Sequence, residues 1–98
     1  MSGAYVYILR CADSSFYTGS TRLHPEQRLD QHNAGLDPKA YTYKRRPLEL
    51  VWCAHCEIVT EALGFERQIK GWSRKKKIAL IEDRLEDLPG LSRRKPKP

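Results

Sequence analysis

The chain has 98 residues, of which 40% are apolar and 31% charged, a balance that fits one globular domain and excludes a disordered chain. No apolar run approaches the roughly 18 residues of a membrane span, and no secretory signal is visible. We therefore expect a cytoplasmic protein, in which the three cysteines are reduced. Residues 1–66 hold seven basic and eight acidic side chains, whereas residues 67–98 hold eleven and four, which indicates either a polyanionic partner such as nucleic acid or a solvated face with a basic tail.

The first half of the chain predicts a β-hairpin followed by a helix. Residues 4–11 are rich in aromatic and β-branched side chains, residues 12–15 carry turn chemistry, and residues 16–20 form a second short strand. Pro25 suits the first position of a helix and Gly35 suits its end, so we expect helix one at residues 25–34. Residues 36–46 are expected to form a loop.

The second half predicts one more strand and two helices. Pro47 can open a strand, which we expect at residues 48–56, and residues 60–72 carry an apolar stripe at helical spacing. Ser73 suits an N-cap, so a last helix is expected at about residues 74–87. The predicted fold is α+β, a three-stranded mainly antiparallel sheet flanked by helices in the order strand, strand, helix, strand, helix, helix. We expect the domain to cover residues 1–88 and the basic tail, residues 89–98, to be disordered.

Glu66 interrupts the apolar stripe of the second helix. On a helical wheel it lies about 40° from Ala62 and about 60° from Ile69. A carboxylate at such a position must be paired, bind a metal, or lie at the edge of the packed zone. The sequence leaves open whether Glu66 is a metal ligand or one half of a structural ion pair with an arginine.

Two further pairs of residues are candidates for chemistry. Arg28 and His32 are four residues apart on helix one and share a face that can grip a phosphate. Tyr7 and Tyr17 lie on the two hairpin strands and share a face only if a loop over residues 11–15 pairs Arg10 with Phe16. A four-residue loop over residues 12–15 would separate them. Without such a register, both tyrosines are ordinary strand residues.

Cations and aromatic rings are mixed in the loop before the third strand and recur as cations later in the chain. Such a mixture suits stacking on bases and contacts to phosphates, although a solvated loop has the same composition. The candidate nucleic-acid-binding residues are Tyr41, Tyr43, Lys44, Arg45, Arg46, Lys70, Lys75 and Lys76. A zinc site at Cys53, His55 and Cys56 is disfavoured because structural zinc commonly needs four ligands.

The ordered set of motifs resembles the GIY-YIG nuclease superfamily, in particular its small single-domain bacterial members. The resemblance is carried by Val6-Tyr7, by Tyr17-Thr18-Gly19, by the run RLDQHNAG over residues 28–35, and by Glu66. It covers about residues 4–82. Tyr5 stands where the first motif has Gly, and Thr18 stands where the second has Ile.

The resemblance implies hydrolysis of phosphodiester bonds, with DNA favoured as substrate, and one divalent ion, Mg²⁺ or Mn²⁺. Glu66 would hold the metal, Arg28 would clamp the phosphate, and Tyr7 would orient or deprotonate the attacking water. Tyr17 would hydrogen-bond the phosphate or the water, His32 would aid proton transfer, and Gly19 would have a structural role. The alternatives are a nucleic-acid-binding module with little or no catalysis, and a subunit that needs a protein partner for activity or substrate choice.

Overall fold

The fold is an α+β domain in which helices cover both faces of one small sheet. The computed structural model describes residues 3–84 and residue 86. Within them the elements run β1 (Ala4–Arg10), β2 (Phe16–Thr21), α1 (Pro25–Ala34), β3 (Glu49–Cys56), α2 (Val59–Lys70) and α3 (Arg74–Ile81). The predicted class and element order are confirmed. The predicted domain end at residue 88 and the tail over residues 89–98 lie outside the described residues.

The sheet has the strand order β2-β1-β3, and both pairings are antiparallel. In the hairpin Arg10 is opposite Phe16, and Tyr7 is opposite Gly19. This is the register of the loop over residues 11–15, so Tyr7 and Tyr17 project from the same face. The register between β1 and β3 shifts by one residue after Ile8, which leaves β3 locally bulged.

Each face of the sheet has its own apolar core. Helices α2 and α3 pack on the face that presents Val6 and Ile8, and α1 packs on the face that presents Tyr7 and Leu9. The first core contains Ala4, Val6, Ile8, Ala62, Ile69, Ala79 and Leu80, and the second contains Tyr7, Leu9, Cys11 and Leu48. None of the helices in the described part of the chain is long and apolar enough to cross a membrane.

The helix termini follow their local sequence, with one correction. His24 and Ser73 cap α1 and α3 by accepting hydrogen bonds from backbone N–H groups, and Gly35 ends α1 with a φ of 68°. The prediction that α3 extends to residue 87 is wrong, because the helix ends at Ile81. Asp83 has a φ of 61°, and the backbone N–H groups of residues 83 and 84 bond to the carbonyls of residues 80 and 79. This is the Schellman pattern, which closes a helix.

The segment between α1 and β3 is more ordered than the predicted loop. Tyr43–Arg45 forms a turn of 3₁₀-helix. The side-chain amide of Asn33, on the last turn of α1, donates to the carbonyl of Leu48 at 3.1 Å and accepts from the N–H of Leu48 at 2.7 Å. The loop therefore leaves and returns to the domain at fixed points, which positions its side chains beside α1.

Candidate functional site

Tyr7 lies at the centre of the candidate site. Its side chain is only 1% exposed, and its ring lies over Gly19 on the neighbouring strand. A Cβ at Gly19 would lie 2.6 Å from the Tyr7 hydroxyl and 2.7 Å from Cζ, which is closer than non-bonded atoms approach. Glycine at this position is therefore required for the Tyr7 hydroxyl to reach the edge strand β2.

His32 links Tyr7 to the loop. Its Nε2 lies 3.2 Å from the Tyr7 hydroxyl, and its Nδ1 lies 2.9 Å from Thr42 Oγ1. Burial, together with the positive charge of Arg28, lowers the pKa of His32 from its usual value of 6.5. At neutral pH the imidazole is therefore uncharged, so one ring nitrogen donates a hydrogen bond and the other accepts one. When Nδ1 donates to Thr42, Nε2 accepts from Tyr7.

The environment of Tyr7 stabilises its neutral form. Desolvation by burial is the main cause that raises the pKa of Tyr7 to about 12, and the neighbouring Tyr17 and Glu66 also raise it. The charge of Arg28 and a hydrogen bond from it act in the opposite direction. Tyr7 therefore carries its proton at neutral pH and can both accept and donate a hydrogen bond.

Arg28, Tyr17 and His32 border an open cavity of about 400 Å³ beside α1 and the loop. Arg28 donates from Nη1 to Gln31 Oε1 at 2.7 Å, which positions the guanidinium, and the N–H groups not used by Gln31 or Tyr7 are left for a ligand. The ring of Tyr17 packs edge-on against His32, with centroids 5.3 Å apart. A guanidinium, a phenol and an imidazole on one cavity wall can bind a phosphate by charge and by directed hydrogen bonds.

Glu66 approaches the site from the other face of the sheet, on α2. Its side chain is 15% exposed and is held at both oxygens. Oε1 accepts a hydrogen bond from Ser20 Oγ at 2.6 Å, and Oε2 pairs with Lys70 Nζ at 2.9 Å. Glu66 is thus paired at the edge of the apolar face. Its partner is a lysine, whereas the sequence suggested an arginine for a structural ion pair.

The two halves of the candidate site meet across strand β2. Ser20, the contact of Glu66, is the immediate neighbour of Gly19, the contact of Tyr7. The carboxylate of Glu66 is close enough to Tyr7 to contribute to its raised pKa. Strand β2 therefore has two groups of candidate residues on its two sides: Glu66 on one, and Tyr7, Tyr17, Arg28 and His32 on the other. Gly19, which has no side chain, lies between them.

The carboxylate of Glu66 fits a magnesium-type ion and does not fit a fully caged metal. Nowhere in the described residues do three His, Cys, Asp or Glu side chains cluster in a way that could hold a metal. Glu66 borders an open cavity of about 200 Å³ together with Leu63, Arg67 and Lys70. Mg²⁺ is commonly held by one or two carboxylates together with waters and substrate phosphate. One carboxylate facing an open cavity meets that requirement.

The arginines of the loop are engaged within the protein. Arg45 lies 3.9 Å above the ring of Tyr41, donates to the Tyr41 carbonyl at 2.8 Å, and pairs with Asp13 at 3.1 Å. Arg46 lies 4.3 Å above the ring of Tyr43 and donates to the Tyr43 carbonyl at 2.8 Å. These contacts fix the loop against the hairpin and α1.

The candidate lysines differ in their surroundings. Lys44 is exposed on the loop and borders an open cavity with Asn33 and Pro47. Lys75 is exposed on α3, and the Lys76 ammonium lies 6.0 Å from the centroid of the Trp72 ring. Lys70 is brought to the candidate site by its ion pair with Glu66. Lys75 and Lys76 are on α3, which packs against β3 and whose Arg74 covers the ring of Phe16 at the start of β2.

Sequence reasoning missed several residues that hold the site together. Thr42 is 1% exposed and bonds His32, Ser20 bonds Glu66, and Gln31 bonds Arg28. Two of these had a signal in the sequence. Ser20 alternates with Gly19 along β2 and must face α2 once the register is known, and Gln31 lies three residues after Arg28, on the same helix face. No periodicity singles out Thr42.

Comparison with known proteins identifies the family. The model of the GIY-YIG catalytic domain matches residues 3–79. The chain belongs to the GIY-YIG family. It is 44% identical over 82 residues to a UPF0213 protein of Syntrophus aciditrophicus, covering 84% of this chain and 93% of that protein. It is also 44% identical over 84 residues to the UPF0213 protein SH2523 of Staphylococcus haemolyticus, covering 86% of this chain and all of that one.

Two solved structures of proteins similar in sequence have the same fold. The solution NMR structure of the UPF0213 protein BH0048 from Bacillus halodurans is 38% identical, with a TM-score of 0.53, and covers 82% of this chain and 83% of that one. The solution NMR structure of EF2693 from E. faecalis is 36% identical, with a TM-score of 0.58, and covers 85% and 86%. The predicted membership of this family is confirmed, and the family is a nuclease superfamily that is generally metal-dependent.

Proposed function

We propose that this GIY-YIG domain is a nuclease that hydrolyses phosphodiester bonds in DNA with one divalent ion, Mg²⁺ or Mn²⁺, at Glu66. One observation supports the proposal most. Tyr7, His32 and Arg28 lie together on one side of Gly19 in β2, and the Glu66 carboxylate lies on the other side. When bound, the divalent ion supplies positive charge for the phosphoryl group and the leaving oxygen.

Arg28 and Tyr17 bind and orient the phosphate in this proposal. The guanidinium offers several N–H donors in a planar fork that matches phosphate oxygens. Its contact to Gln31 at 2.7 Å reduces the freedom that would be lost on binding. The negative charge that develops on the phosphoryl oxygens in the transition state strengthens the same contacts, so Arg28 contributes to rate as well as to binding.

Tyr7 and His32 move the proton of the attacking water. Because the pKa of Tyr7 is raised to about 12, the phenol acts without a preceding ionisation. The Tyr7 oxygen accepts a proton from the water while its own proton passes to Nε2 of His32, 3.2 Å away. The water oxygen forms its bond to phosphorus as the bond from phosphorus to the leaving oxygen breaks. The leaving oxygen keeps the electron pair and takes a proton from solvent, and His32 then releases its proton to solvent. Thr42 holds the imidazole in the orientation that the transfer requires.

A cleavage assay with matched glutamate variants tests the proposal. Wild type, Glu66→Gln and Glu61→Gln are incubated with labelled single-stranded, duplex and branched DNA and with RNA, each with Mg²⁺, Mn²⁺ or chelator. Glu61 is an exposed glutamate on the same helix, so it controls for charge and helix stability. We expect metal-dependent cutting that Glu66→Gln lowers at least 100-fold and Glu61→Gln leaves unchanged. Cutting that persists in Glu66→Gln would refute the assignment.

The same assay separates the competing functions. DNA binding without cutting in either metal favours a binding module, and activity only after addition of a second protein favours a subunit of a larger complex. We propose that the protein acts in the cytoplasm. The proposed nucleic-acid-binding surface consists of Tyr41, Tyr43, Lys44, Arg45, Arg46, Lys70, Lys75 and Lys76. Phosphate contacts by the lysines of this surface, together with long-range attraction by its arginines, predict binding that weakens steeply with salt.

A further inference from the structure

Both oxygens of the Glu66 carboxylate are occupied by groups of this chain. Ser20 donates to Oε1 at 2.6 Å, and the Lys70 ammonium lies 2.9 Å from Oε2. We propose that Lys70 is a resident counter-ion of Glu66, which a divalent cation must displace before it binds the carboxylate. The inference rests on the proposed function, because it takes Glu66 as the metal ligand.

Lys70 is the partner that can leave. Its side chain is 53% exposed, and it lies one helical turn after Glu66, so its flexible stem can carry the ammonium into solvent without any backbone change. Because Glu66 is only 15% exposed, the pair is screened less than a fully exposed one, but the ammonium itself is in contact with solvent. Ser20 belongs to strand β2 and is fixed by the sheet, so its short hydrogen bond keeps Oε1 in place.

The metal must displace Lys70 because of the positive charges that border the cavity at Glu66. The cavity of about 200 Å³ at Glu66 is also bordered by Lys70 and Arg67, so an entering cation meets two positive side chains. An ammonium within about 5 Å of a divalent ion opposes its binding even in a water-like dielectric. Lys70 therefore holds down the metal affinity of the free protein, and its removal raises that affinity.

Metal affinity, measured without any substrate, tests the inference. The full chain is titrated with Mn²⁺ at low salt, and free Mn²⁺ is followed by electron paramagnetic resonance. We expect Lys70→Met to bind Mn²⁺ about tenfold more tightly than wild type, which corresponds to about 1.4 kcal/mol. Lys70→Arg keeps the charge and should remain within about threefold of wild type. Lys39→Met removes an exposed lysine of the distant loop and should have no effect.

The outcomes separate this inference from the proposed function. If Glu66→Gln loses Mn²⁺ but Lys70→Met binds it as wild type does, or more weakly, the counter-ion role is overturned and the metal site stands. If Glu66→Gln binds Mn²⁺ normally, both proposals fall. If neither wild type nor Lys70→Met binds it, the counter-ion role is overturned, and the cleavage assay decides the proposed function. Lys70→Gln is measured beside Lys70→Met, and thermal unfolding verifies that each variant is folded, so a change in affinity reports on the lost charge.

Discussion

Substitution of Gly19 by alanine is the most direct test of how the site is built. The added Cβ would lie 2.6 Å from the Tyr7 hydroxyl, 2.7 Å from Tyr7 Cζ and 3.0 Å from Tyr17 Cε2. Real Cβ atoms essentially never approach other atoms so closely. Because Tyr7 is 1% exposed and belongs to the core that faces α1, a shift of its ring displaces neighbouring side chains.

The cost of this substitution can be set from the packing. Inserting one methyl group into a well-packed core typically costs about 1–3 kcal/mol, because side chains leave their preferred rotamers and the backbone shifts. For a domain of this size, 1 kcal/mol lowers the melting temperature by roughly 4–8 °C. We therefore expect Gly19→Ala to lower it by about 10 °C and to weaken the contact between Tyr7 and His32, with a matching loss of any activity.

Gly64→Ala is the matched control for urea and thermal unfolding. Gly64 lies in α2, and apart from the backbone of its own helix and its chain neighbours no atom lies within 4 Å of the position that its Cβ would occupy. An added methyl group there therefore meets no steric resistance and only removes the cost of glycine in a helix. That change should stabilise the domain by about 0.5–1 kcal/mol. The reasoning is refuted if Gly19→Ala unfolds at the same urea concentration as wild type, or if the two variants shift stability in the same direction.

Three further expectations concern the hydrogen-bonded group around His32. In an ultraviolet titration, one tyrosine should ionise near pH 12, and this step should be absent in Tyr7→Phe. Because the pKa of Tyr7 is raised on folding, the stability that neutral Tyr7 contributes is present below about pH 10 and is lost as the pH rises toward 12. By NMR, His32 should titrate below pH 6.5, so the stability that neutral His32 contributes is present above pH 6.5 and is lost as the pH falls. Arg28→Met should bring the pKa of His32 only part of the way back to 6.5, since burial is the larger cause of its lowering. Thr42→Val leaves His32 Nδ1 without its partner and should cost about 1–3 kcal/mol in urea unfolding, and an unchanged midpoint would contradict the role of that bond.

The sequence predicts most of the fold because local signals agree with one another. Pro25 and Gly35 bound α1 as expected. The sequence left two hairpin registers open, and the structure has the one that brings Tyr7 and Tyr17 to one face. The end of α3 could not be predicted in the same way. It depends on Asp83 adopting a left-handed conformation, which aspartate tolerates but does not require.

The site is less accessible to sequence reasoning because its contacts cross the sheet. Helical spacing places Glu66 within an apolar face, but the choice among metal ligand, ion pair and edge position depends on Ser20, which is 46 residues away in the chain. The link from His32 to Thr42 depends on how the loop folds back over α1. Strand alternation indicates that Ser20 faces α2, but no spacing in the sequence pairs it with Glu66, and none pairs His32 with Thr42.

The loop shows why composition alone overstates a binding surface. A run of lysine and arginine beside two tyrosines is typical of nucleic-acid contacts, yet Arg45 and Arg46 each cover a tyrosine ring and bond to its backbone carbonyl. An arginine used in this way orders the loop, and the loop in turn holds Thr42 against His32. Its positive charge still attracts a polyanion at long range, whereas Lys44, exposed on the same loop, keeps its ammonium available for direct contact. The two kinds of cation therefore have different roles in the proposed function, since the arginines shape the proposed active site and the lysine reaches the phosphate backbone beside it.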